Sequence, residues 1–186
     1  MKQKVLPACS NMKEFEAFLK SPYKIGVFLD LHLSQIKNVT KMANAHHKKL
    51  FLHMDMIHGL KSDEYATEFI CQEYKPFGLI STKSNVIVKA RQKGVLAVQR
   101  IFLLDSHALE KSYKLLNKTR PNFIEVLPGG MPDIIKIVKE NVDVPVFAGG
   151  LIRTKGNVQA ALDAGASAVT TSNIEIWEHF SQDYSI

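Results

Sequence analysis

Two stretches near the carboxyl end of the chain decide the fold. Residues Val144 to Thr154 read Val-Pro-Val-Phe-Ala-Gly-Gly-Leu-Ile-Arg-Thr, and residues Ala168 to Asn173 read Ala-Val-Thr-Thr-Ser-Asn. Each begins with a short apolar, β-branched run and ends in glycine or in hydroxyl and amide residues, a pattern that predicts a buried strand and its loop. A helical pattern over Lys155–Ala164 lies between the two runs. This order predicts parallel strands joined by a crossover helix.

The same unit recurs along the whole chain at a spacing of about 23 residues. Eight units with none left over predict an α/β fold, a compact single-domain (β/α)8 TIM barrel over residues 1–186. Such barrels usually need ~200–250 residues, so we expect short loops and short helices. A doubly wound open sheet is the structural alternative. The predicted strands are Val5–Ala8, Ile25–Leu29, Leu50–Met54, Gly78–Ser81, Val95–Ile101, Phe123–Val126, Val144–Ala148 and Ala168–Thr171. The other predicted helices are Leu33–Ala45, Glu64–Tyr74, Asn85–Gln92, His107–Asn117 and Pro132–Glu140, with caps at Ser84-Asn85 and Asp105-Ser106.

The composition is that of an ordinary globular protein, with 46% hydrophobic and 23% charged residues. No apolar run approaches the ~18–20 residues of a membrane span, and the first residues do not form a signal peptide. The two cysteines, Cys9 and Cys71, are too few for a disulfide framework. We therefore expect a cytoplasmic protein with no membrane contact.

The glycine pair Gly149-Gly150 and the residues Ser172-Asn173 follow the seventh and eighth predicted strands. In (β/α)8 barrels these two loops often hold a phosphate, because their backbone N–H groups point at the anion and glycine has no Cβ to block its approach. The alternative is that the two glycines only make a tight turn. The spacing of both loops favours a phosphate site that uses these four backbone amides.

Polar residues also occur at or near the carboxyl ends of the predicted strands, where the sites of parallel barrels form. They are Asp30, His53, Asp55, Lys83, Arg100 and Glu125. Three acids and a histidine could bind a divalent metal, act as general acid and base, or hold a polyol. Lys83 and Arg100 could neutralise both the acids and a bound phosphate. The structural alternative is a network of salt bridges around the barrel mouth.

The positive charge is concentrated in one half of the chain. The first 93 residues carry 15 Lys and Arg against 8 Asp and Glu, whereas the other 93 carry 9 against 10. Several cations fall late in helices, whose ends gather at the face of the barrel opposite the predicted phosphate site. Lys48, Lys49, Arg91 and Lys93 on this rim are candidates to bind a nucleic-acid backbone. The alternative is that these cations complement the helix dipoles.

Several motifs in the same order resemble the glycerol-3-phosphate-responsive antiterminators. The similarity runs from Pro7 to about Trp177. The motifs are His53-Met-Asp-Met-Ile-His-Gly-Leu60, Gly78-Leu-Ile-Ser-Thr-Lys83, Gln99-Arg-Ile-Phe-Leu-Leu-Asp-Ser106, Ile124-Glu-Val-Leu-Pro-Gly129 and Gly149-Gly-Leu-Ile-Arg-Thr154. His58 departs from the pattern, because an acidic residue is expected there in relatives.

The resemblance implies a cytoplasmic regulator that senses glycerol 3-phosphate and binds the leader of glycerol-utilisation messenger RNA, so that transcription passes a terminator. Such a protein is a barrel with an effector ligand and without a turnover step, and we expect no cofactor; a divalent metal in the pocket and a homo-oligomer both stay open. The competing class is a phosphate-binding barrel enzyme, a lyase, isomerase or synthase that acts on a small phosphorylated metabolite, because fold alone does not decide function. A third possibility is a paralogue that keeps the sensor pocket but has lost RNA binding.

Overall fold

The computed structural model describes residues 3–182 as ten parallel strands and eight helices. The strands are β1 (Val5–Cys9), β2 (Ile25–Phe28), β3 (Leu31–His32), β4 (Lys49–His53), β5 (Ile57–His58), β6 (Gly78–Ser81), β7 (Leu96–Phe102), β8 (Phe123–Leu127), β9 (Val146–Gly149) and β10 (Ala168–Thr171). The helices are α1 (Met12–Lys20), α2 (Ile36–Ala45), α3 (Glu64–Glu73), α4 (Ser84–Gln92), α5 (Ser106–Thr119), α6 (Pro132–Asn141), α7 (Lys155–Asp163) and α8 (Ile174–Ser181).

Eight of the strands form a closed barrel in the order β1-β2-β4-β6-β7-β8-β9-β10, and β10 pairs with β1 to close it. The closing register aligns Val5 with Val169 and Leu6 with Thr170. This pairing confirms the predicted (β/α)8 barrel and excludes the open sheet. No helix within residues 3–182 combines the length and the apolar character that a membrane crossing requires.

The apolar core has an inner and an outer part. The inner part fills the barrel around Phe51, whose ring packs edge-on against Phe77, Phe123 and Phe147 at centroid distances of 5.2, 6.2 and 6.1 Å. Gly78 faces this ring, and a Cβ there would approach it to 2.3 Å. The outer part lies between the barrel and its helices. Because aromatic rings fill the lower barrel, a ligand can enter only above them, at the carboxyl ends of the strands.

The last seam of the barrel is closed by α8. Trp177 of this helix is 3% exposed, and its indole Nε1–H donates to the carbonyl of Thr171 at 2.7 Å. The hydroxyl of Tyr23 donates to the carbonyl of Trp177 at 2.8 Å, which ties the β1–β2 connection to the same helix. These bonds fix the loop after β10, which is one of the two predicted phosphate loops.

Several predicted boundaries differ from the structure by one or two residues. The strand predicted over Val144–Ala148 begins at Val146, after Pro145, whose nitrogen has no hydrogen to donate to a ladder. The helix predicted from Leu33 begins with a 3₁₀ turn over Leu33–Gln35. Lys83, not Ser84 or Asn85, caps α4, and it does so without a side-chain bond. The predicted cap of α5 is correct, because the side chain of Asp105 accepts from the N–H of Ala108 at 2.7 Å.

Candidate functional site

A layer of polar side chains lies inside the barrel near its mouth, and the alternation of inward- and outward-facing residues along the strands explains it. Side chains two residues apart on a strand point to the same face. Phe51, Val98 and Phe147 belong to the apolar interior, so His53, Arg100 and Gly149 continue the inward face one step nearer the mouth. The inward face of β8 continues from Phe123 to Glu125 and that of β10 from Ala168 to Thr170 in the same way. The mouth therefore has a polar layer that rests on a rigid apolar floor.

Glu125 is the centre of this layer. Its carboxylate is 1% exposed, and Oε2 accepts from the Nε–H of Arg100 at 2.7 Å. The other oxygen, Oε1, accepts from the hydroxyl of Thr170 at 2.7 Å. Both bonds are charge-assisted and join three different strands of the barrel. A buried carboxylate is tolerated here because each of its oxygens has a donor.

Gly149 is required by the same cluster. A Cβ at this position would lie 2.6 Å from Thr170 Oγ1 and 2.7 Å from Glu125 Oε1, so any side chain would break the bond between them. This role differs from the prediction, in which Gly149 admits a phosphate. Its neighbour Gly150 has φ +75°, and Leu151 after it has φ +58°. Two successive left-handed residues turn the β9–α7 loop sharply over the mouth.

A cavity of about 210 Å³ opens between the polar layer and this loop. It brings together four of the predicted site residues, with Arg100 and Glu125 on the floor and Gly150 and Ser172 on the wall. The full lining is Ala8, Leu29, Met56, Arg100, Glu125, Leu127, Gly150, Leu151, Ile152, Thr170, Thr171 and Ser172. Arg100 uses only Nε in its ion pair, and its terminal nitrogens bond no other group in the described part of the chain. The cavity thus offers guanidinium donors next to carboxylate and hydroxyl acceptors.

His53 is buried inside the barrel at the end of β4 and is 3% exposed. Neither ring nitrogen has a hydrogen-bond partner within residues 3–182. Burial, and to a lesser extent the charge of Arg100, lowers the pKa of His53 from 6.5 to about 4, although the carboxylates of Asp55 and Glu125 act in the opposite direction. The ring is therefore neutral at pH 7.

Asp55 lies in a 3₁₀ turn over Met54–Met56, and its carboxylate is occupied by the end of β6. Its Oδ1 accepts from the hydroxyl of Ser81 at 2.5 Å, and Oδ2 accepts from the N–H and hydroxyl of Thr82 at 2.7 and 2.8 Å. Burial tends to raise the pKa of Asp55, but these three bonds outweigh it and hold the pKa below its ordinary value. An ionised carboxylate with three donors has little capacity left, so Asp55 ties two loops together and is not a ready acceptor for a ligand hydroxyl.

The predicted polar residues do not form one ring. Asp30 is partly exposed and its carboxylate lies 2.6 Å from Nε2 of His58, across the small sheet that β3 and β5 form outside the barrel. Lys83 is exposed, and its ammonium donates to the carbonyl of Ser62 at 3.3 Å. Both lie at the rim, whereas Arg100 and Glu125 lie at the centre. His58, the departure from the pattern, has Asp30 as its partner.

In the loop after β10, Asn173 bonds to neighbouring residues of the same loop and does not point its amide at the cavity. The backbone N–H of Asn173 donates to the hydroxyl of Thr171 at 3.2 Å, and its side chain accepts from the N–H of Glu175 as the cap of α8. The Asn173 amide is thus used within its own turn, which corrects the prediction that it faces a phosphate. Thr170, which sequence reasoning missed, bonds to Glu125. The sequence did hold a sign of this role, because Thr170 lies two residues after the buried Ala168 on the same strand and therefore faces the barrel interior as well.

Among the predicted RNA-binding cations, Lys48 belongs to the protein interior. It is 6% exposed, and its ammonium donates to the carbonyls of Ser21 and Tyr23, both at 2.5 Å. Burial and the nearby charge of Lys24 lower the pKa of Lys48. Its place among the RNA-binding candidates is therefore wrong, because its donors already satisfy the β1–β2 connection.

The other three cations lie at the face of the barrel opposite the cavity. Lys93 forms an ion pair with Glu68, which also accepts from Lys89 at 3.2 Å. Lys49 and Arg91 are exposed, and the ammonium of Lys49 lies 4.9 Å from the centre of the Phe77 ring. Two of the four predicted residues, Lys49 and Arg91, are thus free of salt bridges among the described residues.

The fold and the site define a small (β/α)8 barrel whose mouth holds a buried Arg–Glu–Thr cluster below a glycine loop. No group of three or more His, Cys, Asp or Glu side chains within residues 3–182 is placed to hold a metal ion. The family model described as glycerol-3-phosphate responsive antiterminator matches residues 5–177. The chain belongs to this family.

Relatives with known structures share the whole fold. A glycerol uptake operon antiterminator regulatory protein from Listeria monocytogenes is 43% identical, with 96% of each chain covered and a TM-score of 0.93. A glycerol uptake operon antiterminator-related protein from Thermotoga maritima is 26% identical over 96% of this chain and 99% of that one, with a TM-score of 0.84. An uncharacterised Escherichia coli protein, YgcP, is 31% identical over 78% of this chain and 76% of its own. Aldolases and a decarboxylase match at 14% identity or less, which shows the fold alone.

Proposed function

We propose that the chain is a cytoplasmic, non-catalytic sensor that binds glycerol 3-phosphate in the barrel mouth and controls antitermination by binding a messenger RNA leader. The observation that carries this proposal is the cavity above Arg100, Glu125 and Thr170. It combines donors for a phosphate with acceptors for hydroxyl groups in a space of about 210 Å³, which suits a small metabolite. Membership of the antiterminator family supports the same effector.

The phosphate would lie against the backbone of Gly150 and Ser172 and near the terminal nitrogens of Arg100. Gly150 leaves its side of the cavity open, and the amino end of α8 follows Ser172 directly, which favours a negative charge there. The glycerol hydroxyls would then reach toward Glu125 and Thr170. His53, with two unpartnered nitrogens below the mouth, is a further candidate to accept or donate a hydrogen bond to the ligand.

The acidic groups of the site favour a sensor over an enzyme. A general base needs an accessible lone pair near the proton that it removes. Glu125 is ion-paired and accepts a second bond, and Asp55 accepts three bonds from the end of β6. Each oxygen of both carboxylates already has a donor within the protein, so Glu125 can share a hydrogen bond with a ligand hydroxyl but neither carboxylate has a free oxygen that is poised to remove a proton. The geometry therefore supports binding without turnover.

The RNA partner would be bound on the opposite face, where Lys49 and Arg91 are exposed and carry no salt bridge among the described residues. Cations in such positions bind the phosphate backbone without sequence preference. The two ligands would then occupy opposite ends of the barrel. This separation allows each to bind without excluding the other.

The test is a thermal-shift panel of glycerol 3-phosphate, glycerol and inorganic phosphate, with the concentration of each compound followed over time. Glycerol 3-phosphate at about 100 times its dissociation constant should stabilise the fold by about 2.7 kcal/mol. Glycerol and inorganic phosphate each lack half of the contacts and should stabilise it less. Glycerol 3-phosphate should be recovered unchanged. Conversion of the compound, or an unchanged melting temperature in its presence, would overturn the proposal.

A further inference from the structure

A second cavity lies on the outside of the barrel, between α5 and α6. α5 packs on α4 and α6 packs on α7, whereas α5 and α6 hardly touch each other. Near the carboxyl ends of these helices the gap widens to about 560 Å³. This volume lies within the ~300–1,000 Å³ of small-molecule sites and exceeds that of the cavity in the barrel mouth. We call it the α5–α6 crevice, and it opens at the face that carries Lys49 and Arg91.

The floor of the crevice is apolar and its rim is cationic. Leu116, Ile124 and Val144 form the floor, and Ile124 is its deepest part because its side chain is fully buried. Arg91 from the last turn of α4 and Arg120 from the end of α5 stand at the rim, and both are exposed. An apolar floor beside two planar guanidinium groups suits an aromatic ring that carries or adjoins a negative charge.

The two arginines differ from the lysines nearby because they are not neutralised. Glu68 holds both Lys89 and Lys93 in ion pairs. Neither Arg91 nor Arg120 has an ion-pair partner within residues 3–182. Arg120 also has a left-handed backbone with φ +43°, which caps α5 through its N–H to the carbonyl of Leu116 at 2.8 Å. An L-residue adopts this conformation at a cost of about 1 kcal/mol, and here it places an arginine at the rim.

The hydroxyl of Tyr113 is a buried polar group of the crevice that lacks a hydrogen-bond partner among the described residues. It is buried and forms no hydrogen bond within the described part of the chain, although nearly all such groups in folded proteins are bonded. Burial raises the pKa of Tyr113, so the hydroxyl keeps its proton and can both donate and accept. Asn117 and Asn141 bring amide groups to the same walls, and Asp143 brings a carboxylate acceptor.

We propose that the α5–α6 crevice receives an unstacked base of single-stranded RNA, with the adjoining phosphates on Arg91 and Arg120. Proteins read single-stranded RNA by stacking splayed bases on aromatic rings or guanidinium planes and by bonding their edges. The crevice provides both, because Tyr113, the asparagines and Asp143 are an edge-bonding set beside the two arginines. This inference rests on the proposed function for the class of partner, and it adds the place and the mode of binding.

The experiment measures binding of a labelled random-sequence pool of single-stranded RNA, with a duplex of equal length as a second probe. Arg91→Gln and Arg120→Gln should each lower the affinity for the single strand about tenfold and flatten its salt dependence by roughly 0.7 log units per log salt, the value of one lost phosphate contact. Tyr113→Phe should lower the affinity without changing the slope, because it removes a base contact. The matched control is Lys111→Gln on the exposed side of α5, which removes the same charge outside the crevice.

The folding of each variant is checked by its melting temperature. Arg91 and Arg120 are exposed, and Tyr113→Phe removes an unbonded hydroxyl, so none of the three should destabilise the fold. If the pool binds the wild type and all three variants equally, the crevice is not the RNA site although the proposed function stands. If the wild type binds no RNA, the proposed function itself fails, and the crevice proposal with it. Self-association that Arg120→Gln abolishes, with RNA binding unchanged, would assign the crevice to a second copy of the chain and overturn the inference.

Discussion

At the scale of single residues, burial decides what each charged side chain of this barrel can do. Glu125 and Lys48 are both buried, and each has partners within the protein, the first in Arg100 and Thr170 and the second in two backbone carbonyls. Removal of one partner from a buried pair typically costs 3–5 kcal/mol, because the other charge is left unpaired. Exchange of Lys48 for Glu would therefore disturb folding before it affected RNA, and Lys49 is the lysine whose reversal tests RNA binding.

His53 differs from these residues because it is buried without a partner, and this makes the stability depend on pH. Its pKa is about 4 in the folded protein and 6.5 in the unfolded chain, so between these values the unfolded chain binds more protons. The free energy of unfolding is therefore highest above pH 6.5 and falls as the pH is lowered to 4. Each pKa unit corresponds to 1.36 kcal/mol, so the shift of His53 amounts to about 3 kcal/mol.

The expected result is a free energy of unfolding that falls steeply between pH 6.5 and 4 in urea titrations of the wild type. His53→Leu, which cannot titrate, should flatten the profile in this window. Asp55 acts at a lower pH than His53. Its pKa is lowered in the folded protein, so its contribution to stability is lost only as the pH falls below the ordinary value of 3.8. His179→Asn, at an exposed position of α8, is the control and should leave the profile unchanged. Equal slopes in wild type and His53→Leu would show that His53 is not the group responsible.

At the scale of elements, the repeating strand–helix pattern predicted all eight barrel strands, because each is a continuous apolar run closed by turn residues. The two-residue strands β3 and β5 escaped prediction, since a pair of residues has no period to read. Of the predicted residues that line the mouth cavity, Arg100 and Glu125 follow from their position on a strand, and Gly150 and Ser172 from the two loops that follow β9 and β10. Asp55 and Asn173 lie in turns, and their partners depend on how neighbouring loops pack, which the sequence pattern does not contain.

The β9–α7 loop carries the sharpest prediction at this scale. Gly150 has φ +75° and lines the mouth, and a Cβ there would lie 3.2 Å from the side chain of Leu127. Gly150→Ala should strain the backbone by about 1 kcal/mol and narrow the cavity, so that glycerol 3-phosphate binds at least tenfold more weakly. Titration calorimetry measures the affinity. A β-branched residue such as valine would add strain of its own, so alanine is the cleaner substitution.

Gly94→Ala provides the matched control for that experiment. Gly94 has nearly the same backbone, with φ +72°, and a Cβ there meets nothing within 4 Å. Both variants should lose similar stability, whereas only Gly150→Ala should lose ligand affinity. Equal ligand affinity in the two variants would move the ligand away from this loop.

At the scale of the whole molecule, the barrel separates two kinds of surface by its aromatic core. The mouth holds the Arg100–Glu125 cluster, and the opposite face holds Lys49, Arg91 and the α5–α6 crevice. Arg100 and Glu125 are paired neighbours on β7 and β8 with inward side chains, and Ile124, the residue before Glu125, lies on the outer side of β8 in the crevice floor. A change at the cluster can thus reach the crevice through one strand.

The proposed function requires reciprocal coupling between the two ligands. If glycerol 3-phosphate raises the affinity for RNA by some factor, RNA must raise the affinity for glycerol 3-phosphate by the same factor, and couplings of this kind are typically 5–150-fold. We expect RNA affinity to rise by at least about fivefold at saturating glycerol 3-phosphate, measured by fluorescence anisotropy, and calorimetry in the presence of RNA should return the same factor. Lys49→Glu should weaken RNA binding with or without the metabolite and leave metabolite affinity intact, because it removes a phosphate contact at the far face only. If RNA affinity is the same with and without saturating glycerol 3-phosphate, the barrel has two independent sites. Control of antitermination by this metabolite would then require a further partner that is bound to the RNA.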